Sequence, residues 1–360
     1  PPGVFVRISH TGQVFPFQLW QFENKSISTQ RSYSFPLIRS LGDASTQLRK
    51  LFHEVVAQHL LADVPIACFL SSGLDSGILA ALASRHNVGA ISTFTVALPG
   101  TCQDESLRAR QMAMHCGTKH HELIIDQDQA LLWVEGALTA LDSPSADAIN
   151  TFIISKAVAS YGIKVALSGL GADELFGGYP SHRIVPFLRS LSFLPPSLRH
   201  ILLEIFTPRI ARKVHDVKHW DDWSLAIALR RWSSNADLSS AGAIPFECPE
   251  PPPLPGLDTW GMCTWAELFG YTEPMLLRDT DAMSMACGLE IRVPFLDRRI
   301  VEFALLSARR FQLPGKFLLR STFSDLFPPR YLNRHKQGFA LPMKDWMLGP
   351  LLPLCRTRLE

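Results

Sequence analysis

The segment Val64-Pro65-Ile66-Ala67-Cys68-Phe69-Leu70-Ser71-Ser72-Gly73-Leu74-Asp75-Ser76-Gly77 decides how the chain is read. A short apolar run rich in β-formers breaks into a loop of Ser, Gly and Asp, after which Ile78, Leu79 and Leu82 follow helical spacing. That order predicts a strand feeding a loop whose backbone N–H groups stand at a helix N-terminus, a ready-made anion site. Gly73 permits close approach of the backbone to a phosphate, and Ser71, Ser72 and Ser76 add hydroxyl donors. Asp75 is out of place beside an anion unless it holds a cation that bridges to the phosphates. The loop therefore reads as a grip for magnesium pyrophosphate. No Gly-Lys-Ser/Thr follows, so it is not a Walker loop, and the G-x-G-x-x-G spacing of dinucleotide sites is absent. The same residue types also cap helices and make turns, so the loop by itself leaves a plain turn open.

Working outward, strands and helices alternate. Thr46 to Leu61 has helical periodicity, closed by Asp63-Val64-Pro65, and Ile66–Leu70 is a strand followed by a helix over Gly77–Arg85. Ala90–Leu98 and His121–Ile125 read as strands, with a helix over Asp104–His115 between them. Gln129–Ala140 and Asn150–Ser160 are helical, and Ile163–Leu167 is expected as the last buried strand. This alternation predicts an α/β fold with a doubly wound parallel sheet and a ligand at the carboxyl ends of its strands. After Tyr179 the pattern is mainly helical, apart from the proline-dense stretch Cys248 to Pro255, which reads as a surface connector. Upstream, Val4–Ile8 and a return strand from Val14 flank a Thr11-Gly12 turn, as in the closing hairpin of a preceding domain. The expected division is residues 1–45 as that remnant plus linker, 46–180 as the α/β core and 181–360 as a mainly helical acceptor-side region.

Composition narrows the function. The chain has 360 residues, enough for a substantial core, and a net charge of +2 with 19% charged residues argues against a nucleic-acid partner held by phosphate attraction. No apolar stretch is long enough to span a bilayer: the nearest, Ile184 to Phe206, carries Arg189, Arg199, Glu204 and Pro195-Pro196. With no signal peptide, the cytoplasm is the expected location. Seven cysteines without a CxxC pair suggest neither a disulfide framework nor a zinc cluster, and Cys68 reads as a small buried hydrophobe. His120 and His121 would face opposite ways on a strand, which argues against a shared metal.

Three further blocks carry candidate chemistry. The strand ending at Leu167 runs into Ser168-Gly169-Leu170-Gly171-Ala172-Asp173-Glu174-Leu175-Phe176-Gly177-Gly178-Tyr179. Its glycines admit a ligand close to the backbone, and Asp173 with Asp75 suits one Mg²⁺; in isolation Asp173-Glu174 reads equally as a helix cap. The block Arg278 to Asp297 alternates charges with an apolar helical stripe, and Arg278, Glu290, Arg292 and Asp297 each read first as structural ion-pair members. Last, Asn333 to Pro342 is a polar loop containing Lys336, ordinarily a solvated charge.

Taken in order, the four blocks resemble the synthetase half of glutamine-hydrolysing asparagine synthetases and their relatives, within the PP-loop ATP pyrophosphatase group. The family patterns are S-G-G-x-D-S, S-G-[E/D]-G-x-D-E-x-F-G-G-Y, L-E-x-R-x-P-F-L-D and K-x-G-F, and the resemblance covers roughly residues 46 to 345. It implies an ATP-dependent ligase that adenylates a carboxylate, aspartate by default, releases pyrophosphate and transfers ammonia to form the amide. ATP and Mg²⁺ are the implied cofactors. The ammonia would come from glutamine through a glutaminase domain whose N-terminal cysteine this chain lacks, and a homodimer is among the expected assemblies.

Carried over, the resemblance places Leu70, Leu74, Val96, Ser168 and Gly169 at the nucleotide, and Ser71, Ser72, Gly73, Asp75 and Ser76 on the pyrophosphate. Asp75 and Asp173 would hold the metal, Lys336 would stand near the reacting phosphate, and Glu290 and Glu174 are further catalytic candidates. Two departures stand out. Ser72 replaces a glycine, and Leu170 stands where asparagine synthetases usually carry Glu or Asp. Leucine binds no cation and moves no proton, so the acceptor is open: another carboxylate, as in a sugar acid, β-lactam or lasso-peptide precursor, or a nucleotide-binding homologue without turnover.

Overall fold

The computed structural model describes residues 4–8, 14–18, 37–86, 91–97, 104–124, 127–145, 148–251, 256–329, 331–333 and 343–359. Strands β1 (Val4–Ile8) and β2 (Val14–Gln18) form an antiparallel hairpin in the register Val4 to Gln18. Helix α1 spans Leu41–His59, starting earlier than its apolar spacing alone suggests. The cause is a capping box: the Ser40 hydroxyl accepts from the Asp43 N–H at 3.1 Å and the Asp43 carboxylate accepts from the Ser40 N–H at 3.0 Å.

The α/β core then runs β3 (Ile66–Phe69), α2 (Leu74–His86), β4 (Ser92–Ala97), α3 (Ser106–Cys116), β5 (Lys119–Ile124), α4 (Gln127–Ala140), α5 (Ala148–Ala159) and β6 (Val165–Leu167). A short helix α6 (Ala172–Phe176) follows, then α7 (Ser181–Ser190), α8 (Pro196–Phe206), α9 (Pro208–Val214), α10 (Asp222–Arg230), α11 (Asn235–Ser240), α12 (Thr259–Glu267) and α13 (Arg278–Met285). A π-helical stretch, Leu268–Leu277, joins α12 to α13 and contains Pro274, which has no N–H for the regular α-helical ladder.

The sheet has the order β5-β4-β3-β6-β7, and every pairing in it is parallel. Its last member corrects the expectation that the 163–167 strand is final: β7, Glu290–Arg292, pairs with β6 in the register Ala166 to Ile291. The helical stripe of α13 ends near Gly288, whose φ of 67° suits glycine, and the chain re-emerges extended. A single apolar residue between Glu290 and Arg292 gives no strand signal of its own, as befits a short edge strand.

Alternation along the strands supplies both faces. Ile66, Cys68, Val165 and Leu167 pack with α1, α2 and α3, whereas Ala67, Phe94, Val96 and Ala166 pack with Ile153, Ala157 and Val158 of α5. This is the doubly wound arrangement. Cys68 is fully buried, and burial pushes its thiol up to about 12, so it is inert packing. His120 and His121 do part company on β5: His120 Nδ1 meets the Thr93 hydroxyl at 3.0 Å, and His121 stacks on Phe94. The first of these clusters continues into Val185, Trp223, Ile227, Trp265 and Phe323, so the helical region shares it.

The proline-dense stretch lies between α11 and α12, and its described part, 248–251, is exposed. It and the residues just before it are held through the backbone: Trp223 Nε1 donates to the Pro249 carbonyl at 2.7 Å, and the Asn235 amide brackets Phe246 N and O at 2.9 and 3.2 Å.

Candidate active site

Parallel strands deliver their carboxyl ends to one edge of the sheet, and there a cavity of about 320 Å³ opens. Leu70, Ser71, Asp75 and Ser76 line it from the β3 loop, Val96 from β4, and Ser168, Gly169, Leu170 and Asp173 from the β6 loop. The β3 loop is braced by its own serines. Ser71 N donates to Ser76 Oγ at 3.1 Å, the two hydroxyls meet at 3.0 Å, and Gly73 N donates to Ser71 Oγ at 3.1 Å. Leu70 N donates to the Phe94 carbonyl at 2.8 Å, which ties the loop to β4.

Gly169 has a specific reason to be glycine. A Cβ there would come within 3.0 Å of Asp75 Cβ and 3.2 Å of Ser76 N, so the two loops touch only because it is absent. The next residue, Leu170, also lines the cavity, and Ile154 and Ile291 are among its other apolar lining residues.

Asp75, in the first turn of α2, and Asp173, in the first turn of α6, stand almost a hundred residues apart in sequence and converge on one cation. It is Lys316, whose Nζ lies 2.6 Å from Asp75 Oδ2 and 2.8 Å from Asp173 Oδ1. Lys316 is buried and adopts φ 59°, the left-handed conformation that side chains rarely take. Gly315 N donates to the Gly177 carbonyl at 2.8 Å, fixing this turn against the end of α6. Gly178 completes the arrangement, since a Cβ there would collide with Asp173 Oδ1 at 1.9 Å and Lys316 Cε at 2.6 Å.

Other candidate residues are placed differently. Ser72 turns out of the cavity: its hydroxyl donates to Glu105 Oε1 at 2.7 Å and its N–H to Oε2 at 3.3 Å, with both residues buried. The side chain at the usual glycine position thus anchors the loop on Glu105, itself part of the cavity wall. Gly73 and Leu74 sit behind the loop at the start of α2 and do not line the cavity. Glu290 is on the exposed edge strand, paired with Arg292 at 2.6 Å, and it is Ile291 that reaches the cavity. Arg292 in turn donates to the carbonyls of His59 and Leu61 at 2.8 Å, a structural tie. Lys336 lies outside the described residues.

Glu174 is buried next to the site and is not part of the cavity wall. Tyr179 Oη donates to its Oε1 at 2.9 Å. Burial first, then the neighbouring Asp173 charge, raises its carboxyl from the ordinary 4.5 to about 7. The folded value lies above the unfolded one, so the proton is bound more tightly in the folded chain. The stabilisation is complete below about pH 4.5 and is lost as the pH rises towards 7. Glu174→Gln keeps the Tyr179 bond and removes the titration. Its stability relative to the wild type should therefore climb across that interval, read from urea midpoints; parallel profiles would refute the assignment.

The resemblance read from the sequence blocks agrees with the comparisons to known proteins. The asparagine synthase family matches residues 47–360. The chain belongs to that family. It is 30% identical over 327 residues to a putative asparagine synthetase [glutamine-hydrolyzing] of Mycobacterium tuberculosis, covering 85% of this chain and 49% of the relative. To asparagine synthetase [glutamine-hydrolyzing] 1 of Bacillus subtilis it is 26% identical over 323 residues, covering 84% and 50% respectively. A plant asparagine synthetase [glutamine-hydrolyzing], from Asparagus officinalis, matches at 32% over 145 residues, 37% of this chain. The chain thus spans about half the length of the first two relatives. Within this asparagine synthase fold, no helix among the described residues is long and apolar enough to cross a membrane.

Proposed function

We propose that this chain is an ATP-dependent amide-forming ligase that activates a carboxylate as its adenylate and passes the acyl group to ammonia. The observation that carries the reading is the convergence of Asp75 and Asp173, from the first turns of α2 and α6, at one cavity edged by the serine loop of α2. Two hard carboxylates that already meet on one cation suit Mg²⁺ bound together with phosphate oxygens and water. When bound there, the metal would offset the charge that builds on the leaving pyrophosphate.

The chain's own groups account for the remaining demands. A substrate carboxylate oxygen attacks the α-phosphorus of ATP, and the bond to the β-phosphate oxygen breaks with its electron pair leaving on pyrophosphate. Ser71 and Ser76 offer hydroxyl donors at the helix start, where the peptide dipoles favour negative charge. Lys316, buried against Asp75 and Asp173, adds a positive charge next to this loop. Ammonia then attacks the acyl carbon, AMP departs with its electron pair, and the surplus proton is lost. The apolar lining residues Leu170, Ile154 and Ile291 help keep water from the adenylate.

Aspartate is the default acceptor. Leu170 in the cavity lining favours a second reading, in which the acceptor is another carboxylate that needs no charged partner at this point. Exchange of labelled pyrophosphate into ATP, with Mg²⁺ and a panel of carboxylates, tests both. Exchange driven by aspartate, followed by ammonia-dependent AMP release, supports the default; exchange driven by another acid alone supports the second. No exchange across the panel with ATP binding intact sinks the ligase reading.

A further inference from the structure

Glu105 is a buried carboxylate in the wall of the cavity proposed to receive ATP, where its charge opposes that of the phosphates. Among the described residues it forms no ion pair, and both of its oxygens are taken by Ser72. The hydroxyl donates to Oε1 at 2.7 Å and the N–H to Oε2 at 3.3 Å. Glu105 is itself held from behind. It stands at the N-cap of α3, and Arg108, one turn on, is tied to Tyr331. Arg108 Nη2 donates to the Tyr331 carbonyl at 2.8 Å, and Tyr331 Oη donates to the Arg108 carbonyl at 3.2 Å. Ala109 and Met112 of the same helix are fully buried. The carboxylate is therefore a fixed point for the loop that bonds to it.

Successive N–H groups of the serine loop turn to different partners. Those of Ser71 and Gly73 meet the hydroxyls of Ser76 and Ser71, at 3.1 Å each, while that of Ser72 between them goes to Glu105. Ser71 and Ser76 line the cavity, whereas Ser72 does not. The bonds to Glu105 thus set which way the Ser72 peptide faces and leave the cavity side of the loop to Ser71 and Ser76. Glycine at this position, as in the family pattern, has no hydroxyl to direct. Serine has one, and Glu105 draws it away from the phosphates through charge-assisted bonds, the stronger kind.

We infer that Glu105 is a positioning residue for nucleotide binding: through Ser72 it fixes the serine loop in the shape that receives the phosphates of ATP, a ligand whose identity rests on the ligase reading above. Charge and position make opposite demands here, which separates them by experiment. Acting by charge alone, the carboxylate would repel the nucleotide, and its removal would tighten binding. Acting by holding Ser72, it supports the loop, and removal of its two acceptor oxygens loosens binding.

Calorimetric titration of the chain with Mg²⁺ and an ATP analogue bearing a methylene bridge between its α and β phosphates reads this without turnover. Glu105→Met, which keeps the length of the side chain and loses both acceptors, should weaken binding about tenfold. Glu105→Gln should stay within about threefold of the wild type, since its carbonyl can accept from the Ser72 N–H while its NH₂ donates to the hydroxyl oxygen. Ser72→Ala, at a residue outside the cavity wall, should weaken binding about threefold and add nothing to Glu105→Met. Binding by Glu105→Met as tight as the wild type or tighter overturns the inference, as do additive losses in the double variant. If Glu105→Met folds poorly, Ser72→Ala decides alone, and unchanged affinity there overturns it. A wild type that binds the analogue yet supports no pyrophosphate exchange sinks the ligase reading and leaves this one standing. A wild type that does not bind the analogue overturns both.

Discussion

Lys316→Ala should cost the protein about 3–5 kcal/mol of folding stability and its nucleotide chemistry with it. The size of the effect follows from what the lysine leaves behind. Its ammonium is 2.6 Å from one carboxylate and 2.8 Å from another, and the Lys316 and Asp75 side chains are both buried. Deleting it removes the one ammonium that both carboxylates contact and leaves their mutual repulsion unscreened by it. The β3 and β6 loops approach closely at Gly169, which limits how far the two carboxylates can move apart. Backbone strain offers a control. Since Lys316 sits at φ 59°, Lys316→Gly suits the backbone better than the native residue does. If the ammonium matters, the glycine variant loses nearly as much as the alanine one in urea denaturation. A glycine variant as stable as the wild type would falsify the counter-ion role.

The contrast between Asp75 and Lys316 shows what could be read before the fold was known. Asp75 announces itself locally, as an acid in a serine-glycine loop between a strand and a helix. The parallel sheet is legible for the same reason, because its strands and helices carry their own periodicities over short windows. Lys316 follows an ordinary Pro314-Gly315 turn and meets Asp75 across 241 positions of sequence, a contact made only by the tertiary fold. Glu105 is hidden likewise, being one acid among several near a helix start until Ser72 is seen to bond it. The edge strand β7 escaped because it is short and charged on both sides of Ile291. Glu290 shows the converse. Its motif is recognisable, yet the strand points its carboxylate outward to Arg292 while the neighbouring isoleucine reaches the cavity. A motif marks the segment, and the alternation of a strand decides which of its side chains faces the site.

Asp75→Asn should reduce pyrophosphate exchange by at least about a hundredfold while leaving the fold in place. The amide is nearly the same shape as the carboxylate, and the serine braces of the loop involve other atoms. Lys316 keeps Asp173 at 2.8 Å, so one ion pair survives and no carboxylate is left without its cation. Stability should therefore fall much less than in Lys316→Ala. What the amide removes is the negative charge needed to hold a divalent cation beside the phosphates, since one carboxylate remains where two converged. Raising Mg²⁺ should recover part of the lost exchange, because the weakened site is then filled by mass action. The two variants thus separate two roles on one pair of contacts: the lysine chiefly supports the fold, and the aspartate chiefly supports the chemistry. Exchange close to wild type in Asp75→Asn, with the fold intact, would remove Asp75 from the metal site and leave it only as the counter-ion of Lys316.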